Sequence, residues 1–302
     1  MQNKTAAIVV SFHPEIDSLN RLLDALKKQV DGIIVIDNGS SPEIISWLFK
    51  QSLESRLHLL SLGDNFGIGF AQNRGIELAQ DQGYEKFLLL DQDSFPAPEL
   101  VATLERALEQ LTQAGVRVGA VGPIRDDEND SSPTYFLRFD RFPPRRLQCS
   151  HADPLIHTDV LISSGMLIPG QAVKDVGLMD ERLFIDHVDT EWCLRGLARG
   201  HSFFGVCEAR LQHKLGTRAA KLWLGRWHDS TIHIPLRNYY YVRNSVILIR
   251  RSYISRTWKW YMAWRLLRFC VRNCLISPRM LRLLMMIRGF SDALLGRLGR
   301  LN

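Results

Sequence analysis

The chain of 302 residues is 46% hydrophobic and 23% charged, enough to bury a sizeable core in one large domain or a domain with an appendage. Its formal charge of +6 conceals an imbalance. Residues 250–302 carry twelve Lys/Arg and one acid, Asp292, leaving 26 basic against 31 acidic residues before them, so an acidic body precedes a basic tail. No apolar run reaches the ~18 residues of a membrane span. Five widely spaced cysteines without a CxxC pair indicate neither a disulfide framework nor a zinc site and favour a reducing compartment.

The opening MQNKTAAIVVSF has one lysine before a short apolar run that stops at His13-Pro14, so it reads as a first core strand rather than a signal peptide. From there short aliphatic runs alternate with longer amphipathic ones: AAIVVSF and IDSLNRLLDALKKQ, GIIVID and PEIISWLFKQSLE, LHLLSL and GFAQNRGIELAQDQG, KFLLLD and APELVATLERALEQL, then VRVGAVGP. This pattern predicts repeated βαβ units and an α/β fold with a mostly parallel sheet flanked by helices. A charged, proline-bearing stretch from Asp126 to about Leu155 predicts an irregular hairpin or flap. Beyond it TDVLISSGMLIP predicts a strand, QAVKDVG a short helix, FIDHVDTEWCLRGLARG a helix with a charged start, and HSFFGVCEARLQH a strand. Past Ile234 the chain reads as basic helices, broken at Ser277-Pro278.

In sheets of this kind ligands sit at the carboxyl ends of the strands, which here read SFHP, IDNGSS, LGDNFGIG and DQDS. Asp37, ahead of Asn-Gly-Ser-Ser, can accept hydrogen bonds from a base or a sugar hydroxyl, or serve as an Asx-turn before Pro42. The segment holding Asn65, Asn73 and Arg74 has glycines at 67, 69 and 75; this is not the GxGxxG spacing, so a nicotinamide cofactor is disfavoured, yet a phosphate or base can approach closely. In FLLLDQDSFP, Asp91 and Asp93 stand two apart and point the same way while Gln92 points opposite. Two hard oxygen ligands on one face suit Mg²⁺ or Mn²⁺ holding a diphosphate.

Further on, Asp186, Asp189 and Glu191 fall within six residues. Each can serve a helix dipole, and a carboxylate there can also take a proton from an attacking sugar hydroxyl. His213 is either a structural residue or a third metal ligand. Arg237 and Arg243 flank tyrosines; they either snorkel from a packed helix or close over a diphosphate.

An apolar strand ending Asp-Asn-Gly-Ser, a second ending Asp-x-Asp, an acidic helix start and a histidine, in that order, resemble the inverting family-two glycosyltransferases of GT-A fold, over roughly residues 5–250. LLLDQDS, LISSGMLI, LFIDHVDTEWCLR and RNYYYVRN resemble motifs of the bacterial rhamnosyltransferases in particular. The resemblance implies a catalytic domain over 1–250, and the residues themselves make 251–302 a basic amphipathic segment. It implies transfer of L-rhamnose from dTDP-β-L-rhamnose to a cell-surface glycan, lipopolysaccharide or similar, with inversion. Asp189 would be the base, Asp93 and His213 metal ligands, and Asp37, Asn65, Arg74, Asp91, Ser164, Glu191, Trp192, Arg237 and Arg243 substrate contacts, Asp37 at the base and Glu191 at the acceptor. The family usually shows two adjacent acids at the catalytic helix, whereas here Val188 precedes Asp189, which leaves Asp186 as the other candidate base.

The tail mixes arginine with Trp, Tyr, Leu, Met and Phe at helical spacing, which suits an anionic membrane surface on the cytoplasmic side. Without a nucleic-acid motif and with this apolar density, nucleic acid is disfavoured as the partner. The competing readings are another donor, such as a UDP-hexose or UDP-galactofuranose, and a catalytically silent glycan-binding subunit.

Overall fold

The computed structural model describes residues 4–54, 57–127, 135–150, 153–213, 219–223, 227–231 and 233–301, with the backbone alone for 54, 126, 127, 213, 219–223 and 227–231. The first half follows the predicted alternation: β1 (Thr5–Ser11), α1 (Ile16–Leu26), β2 (Gly32–Asp37), α2 (Pro42–Glu54), β3 (Leu57–Ser61), α3 (Ile68–Asp81), β4 (Lys86–Asp91), β5 (Ser94–Pro96) and α4 (Leu100–Gln113). Then come β6 (Val118–Asp127), the short β7 (Phe136–Arg138) and β8 (Arg145–Leu147), β9 (Leu155–Thr158), β10 (Met166–Pro169), α5 (Gly170–Val176), a 3₁₀ turn (Glu181–Leu183), α6 (Val188–Ala198) and β11 (Ser202–His213). A β12 (Ala219–Trp223) and β13 (Trp227–Thr231) pair precedes α7 (Pro235–Arg250), α8 (Arg256–Cys274) and α9 (Arg279–Leu294).

The main sheet runs β3-β2-β1-β4-β10-β6-β11-β5, with β9 on β11. β3, β2, β1 and β4 are mutually parallel, as are β6 and β11, and β10 runs antiparallel between the two groups. Alternation along β1 explains the two cores: Ala6, Ile8 and Val10 face α3, α5 and α6, while Ala7 and Val9 face α1 and α4. In α1 the buried Leu19, Leu22, Leu23 and Leu26 follow the helical period and seat that helix on the sheet. All these parallel strands therefore deliver their carboxyl ends to one edge.

Three expectations are corrected. TDVLISSGMLIP is not one strand: β9 pairs with β11, β10 lies between β4 and β6, and the chain turns between them at Gly165, whose φ is +88° and whose added Cβ would come within 2.5 Å of the Pro123 ring. The helix expected from Phe184 begins only at Val188, because Phe184, Asp186 and His187 all have positive φ of 63–65°. Nor are all the cysteines free: Cys149, beside β8, is bonded to Cys207 of β11 across a Cα–Cα distance of 5.6 Å. The pairing is nonlocal, so spacing along the chain gave no sign of it.

The flap is a hairpin of β7 and β8, antiparallel from Phe136 opposite Leu147. At the other end α9 packs closely on α7; a Cβ on Gly289 would lie 2.5 Å from the Tyr239 carbonyl oxygen, and Asp292 accepts the Tyr239 hydroxyl at 2.9 Å. The break at Ser277-Pro278 separates α8 from α9 as expected. No helix among the described residues is long and apolar enough to cross a membrane.

Candidate active site

The exits of β1, β2 and β4 are tied to one another by side chains. Asp37 accepts the Ser11 hydroxyl at 3.2 Å and the amides of Gly39 and Ser40 at 3.3 and 3.0 Å. His13, at φ +46°, donates its amide to Ser40 at 2.9 Å. Gln92 reaches back to β1, accepting the Phe12 amide at 2.7 Å and donating to its carbonyl at 3.2 Å. That explains the middle residue of Asp-Gln-Asp: Gln92 fastens the loop to β1.

Behind this loop the Ser94 and Ser164 hydroxyls are 2.6 Å apart and both buried. Ser164 also lies 3.5 Å from the Asp91 amide. It therefore shapes the loop from beneath rather than meeting a substrate. Asp37 is likewise fully buried, so the Asx-turn reading describes it and a direct contact with a base does not. Asn65 accepts the Asn38 side-chain amide at 3.1 Å and the Gly67 amide at 3.0 Å, ordering the start of α3. Arg74 is occupied by Glu77 at 3.0 Å and Glu181 at 3.4 Å.

Opposite the loop stands the turn that leads into α6. Ile68 donates its amide to Phe184 at 2.8 Å, an approach open only because Gly67, at φ +91°, lacks a Cβ that would sit 2.5 Å from the same carbonyl. From α7, Asn244 donates to the carbonyls of Leu183, Ile185 and Asp186 at 2.9, 2.7 and 3.0 Å. Residues held in sparsely populated backbone regions persist only where their surroundings over-determine them. Here Asn244 and the start of α3 supply that constraint.

The two candidate bases differ in kind. Arg237 grips Asp186 through its Nε and one Nη at 2.9–3.2 Å. Asp189 has no cationic partner among the described residues; it accepts the amides of Ser163 and Thr190 at 3.2 and 2.6 Å and the Thr190 hydroxyl at 3.3 Å. Burial raises its pKa above the usual carboxylate range, the negative charge of Asp91 adds to the rise, and the two amides oppose it. The Arg237 guanidinium would be lowered by burial, but Asp186 first and Asp91 after it hold it up. Asp91, Asp189, Asp186 and Arg237 thus face one space at the carboxyl edge of the sheet.

Other expected residues do not. Glu191 is fully buried, bonded to Arg195 at 2.9 Å and to Arg251 at 2.7 Å, so it braces α6 against the end of α7 and cannot orient an acceptor. Trp192 is buried and donates its indole N–H to Gly177 at 2.7 Å. Arg243 is buried too, spent on the carbonyls of Gly299 and Leu183 at 2.6 and 3.0 Å and set over the Tyr239 and Tyr240 rings; of the two arginines only Arg237 reaches the site. Asn244, in the same RNYYYVRN segment, has no sequence signal that marks it as the clamp of this turn.

A hard divalent cation suits the oxygen donors Asp91 and Asp93. The side chain of His213 lies outside the described residues, but its backbone ends β11 directly opposite Ser94, the residue after Asp93. No group of three or more metal-ligating side chains occurs among the described residues. A cavity of about 820 Å³ beside Lys86, Glu105 and Gln171 opens where β4 begins, at the far end of the strand from these acids.

Residues 7–165 match the model of glycosyl transferase family 2. The chain is 31% identical over 257 residues to a dTDP-rhamnosyl transferase, RfbF, of Shigella flexneri, spanning 84% of this chain and 82% of that protein. Among solved structures, S. aureus TarS 1–349 in complex with UDP-GlcNAc superposes with a TM-score of 0.60 at 15% identity over 96% of this chain and 81% of that one. GalNAc-T7 with UDP, GalNAc and Mn²⁺ gives a TM-score of 0.61 at 15% identity, over 97% of this chain and 56% of that one. These two likenesses concern the fold.

Proposed function

As the chain belongs to glycosyl transferase family 2, we propose that it transfers L-rhamnose from dTDP-β-L-rhamnose to a hydroxyl of a cell-surface glycan, with inversion. The observation that carries this reading is the pairing, across one space, of an aspartate raised in pKa, Asp189, with the Asp-x-Asp loop and an arginine anchored by Asp186. The sugar is supported by the 31% identical relative.

In this reading the acceptor hydroxyl attacks the anomeric carbon from the face opposite the diphosphate. As the new C–O bond forms and the bond to the diphosphate breaks, Asp189 takes the hydroxyl proton. A carboxylate freed of cationic partners is the better base; Asp186, tied to Arg237, holds that guanidinium toward the phosphates instead. Asp91 and Asp93, with His213, would hold Mg²⁺ or Mn²⁺, which neutralises charge on a departing nucleoside diphosphate. The exposed apolar faces of α8 and α9, set among arginines, would rest on the anionic inner surface of the cytoplasmic membrane.

Two alternatives are distinguished by one experiment. A thermal-shift screen of nucleotide sugars with and without Mn²⁺ should show the largest stabilisation by dTDP-rhamnose at low concentration. A larger shift by a UDP-sugar would move the donor assignment, and no shift by any nucleotide sugar would favour the silent glycan-binding subunit.

A further inference from the structure

α8 turns two adjacent stripes outward. Trp260, Trp264, Leu267, Val271 and Leu275 recur at three- and four-residue spacing, and each is at least half exposed. About a quarter-turn away, at 100° per residue, Tyr261, Arg265, Arg268 and Arg272 recur with the same spacing. The remaining face, with Trp258, Met262 and Asn273, is buried. The basic stripe therefore runs along the seam between the body of the protein and the exposed apolar stripe.

That seam leads to the catalytic turn. Arg265 lies over the Tyr261 ring at 5.6 Å and Arg272 over the Phe269 ring at 5.9 Å. The Phe269 ring packs at a tilt on Tyr241, centroids 4.2 Å apart, and Tyr241 likewise on His187 at 5.0 Å. His187 is next to Asp186, the partner of Arg237.

Among the described residues, tyrosines but no carboxylates meet the stripe of Arg265, Arg268 and Arg272: burial would lower the Arg265 pKa, but Tyr241 and Tyr261, the latter through a hydrogen bond, hold it up. Among the same residues the buried Nε of Arg272 has no hydrogen-bond partner. A buried donor left unmade costs free energy, and like charges gathered on one face add to that cost. In keeping with this, burial first, and then Arg265 and Arg268, press the Arg272 pKa down, with Tyr241 opposing. An anion with several oxygens would neutralise the cluster through the outward guanidinium nitrogens, since guanidinium groups match phosphate in a fork.

We propose that Arg265, Arg268 and Arg272 hold the phosphate or diphosphate of a membrane-embedded acceptor, while the neighbouring apolar stripe of α8 enters the membrane surface. The proposal rests on the glycosyltransferase reading and names its acceptor class: a glycan whose lipid phosphate stays at the membrane as its sugar end reaches Asp189.

The test is flotation of the full chain with phosphatidylcholine vesicles carrying a small fraction of a polyprenyl diphosphate, against vesicles of equal charge made with phosphatidylglycerol. Binding should be at least about tenfold tighter to the diphosphate lipid, the size of one charge-assisted hydrogen bond. The preference should vanish in R265Q/R272Q and shrink in R268Q, a milder change on an exposed side chain. Equal binding to both vesicles, or a preference that survives the double variant, would overturn the proposal. Stabilisation by dTDP-rhamnose is read in parallel; its absence in the wild type would count against the enzyme reading, while the vesicle comparison still decides the phosphate site.

Discussion

Asn244 donates its side-chain amide to the carbonyls of Ile185 at 2.7 Å, Leu183 at 2.9 Å and Asp186 at 3.0 Å. One buried residue of α7 thus secures three peptide units of a turn in which Phe184, Asp186 and His187 all have positive φ. The turn sets both Asp186 and the first residues of α6. Removing the amide, as in N244A, should let the turn relax and shift Asp189. We expect kcat to fall by up to about 10²-fold, the size of effect that a misplacement of ~1 Å can produce. Donor affinity, set at the exit of β4, should hold. A folded N244A with wild-type kcat would show that the turn keeps its shape without the clamp.

Asp93 stands at the mouth of the Asp-x-Asp loop while Gln92 ties that loop to Phe12. D93A should abolish the metal-dependent part of donor binding and leave the fold intact, since it removes one of few protein oxygens available to the ion. Calorimetry with dTDP-rhamnose in the presence of Mn²⁺ checks this. Unchanged affinity would mean that the strand-end acids only shape a loop.

The exposed Trp260 and Trp264, 71% and 52% accessible, are the largest rings on the apolar stripe of α8. W260S/W264S should weaken binding to anionic liposomes by about tenfold or more, as each ring loses apolar area to bury. Added salt should weaken wild-type binding further by screening the arginines. Salt-insensitive or absent binding would contradict a membrane role for the tail.

Two acids shift in opposite directions, which separates activity from stability on the pH axis. Burial alone would raise Asp180, but hydrogen bonds from Arg182 and Arg251 outweigh it and hold the pKa at about 2. An acid lowered in the folded state stabilises the fold above its unfolded pKa of about 3.9 and loses that contribution as pH falls toward the folded value, here ~2 kcal/mol in all. Asp189 is raised, by burial first, and as a base it must be unprotonated, so activity should be lost at a pH above the ordinary carboxylate range. On acidification turnover should therefore fall before the Asp180 contribution to thermal stability does. R251A should forfeit much of that contribution at neutral pH. Coincident loss of turnover and fold would count against both assignments.

Much of the architecture was legible because it is periodic. Alternation in β1 and the Leu19, Leu22, Leu23 and Leu26 spacing of α1 fix which face each element buries, and the parallel order then brings the exits of β1, β2 and β4 together. Less legible was anything decided by a single side chain turning inward. Glu191, Arg243 and Ser164 are chemically apt for substrate, yet each is buried and committed to the protein, a choice that only tertiary packing makes. The positive-φ residues before Val188 are not glycines, so nothing local marks the turn that delays α6. The Cys149–Cys207 bond and the Asn244 clamp join elements far apart in sequence, beyond the reach of any window-based reading.

The most direct test of the central claim compares D189N with D186N under saturating donor and acceptor. Both substitutions preserve shape and remove basicity. If Asp189 takes the acceptor proton, D189N should lose ~10² to 10⁴ in kcat with donor affinity near wild type. D186N, which keeps an oxygen for Arg237, should lose much less. Normal turnover by D189N together with a dead D186N would contradict the account and reassign the base to the acid on the near side of Val188.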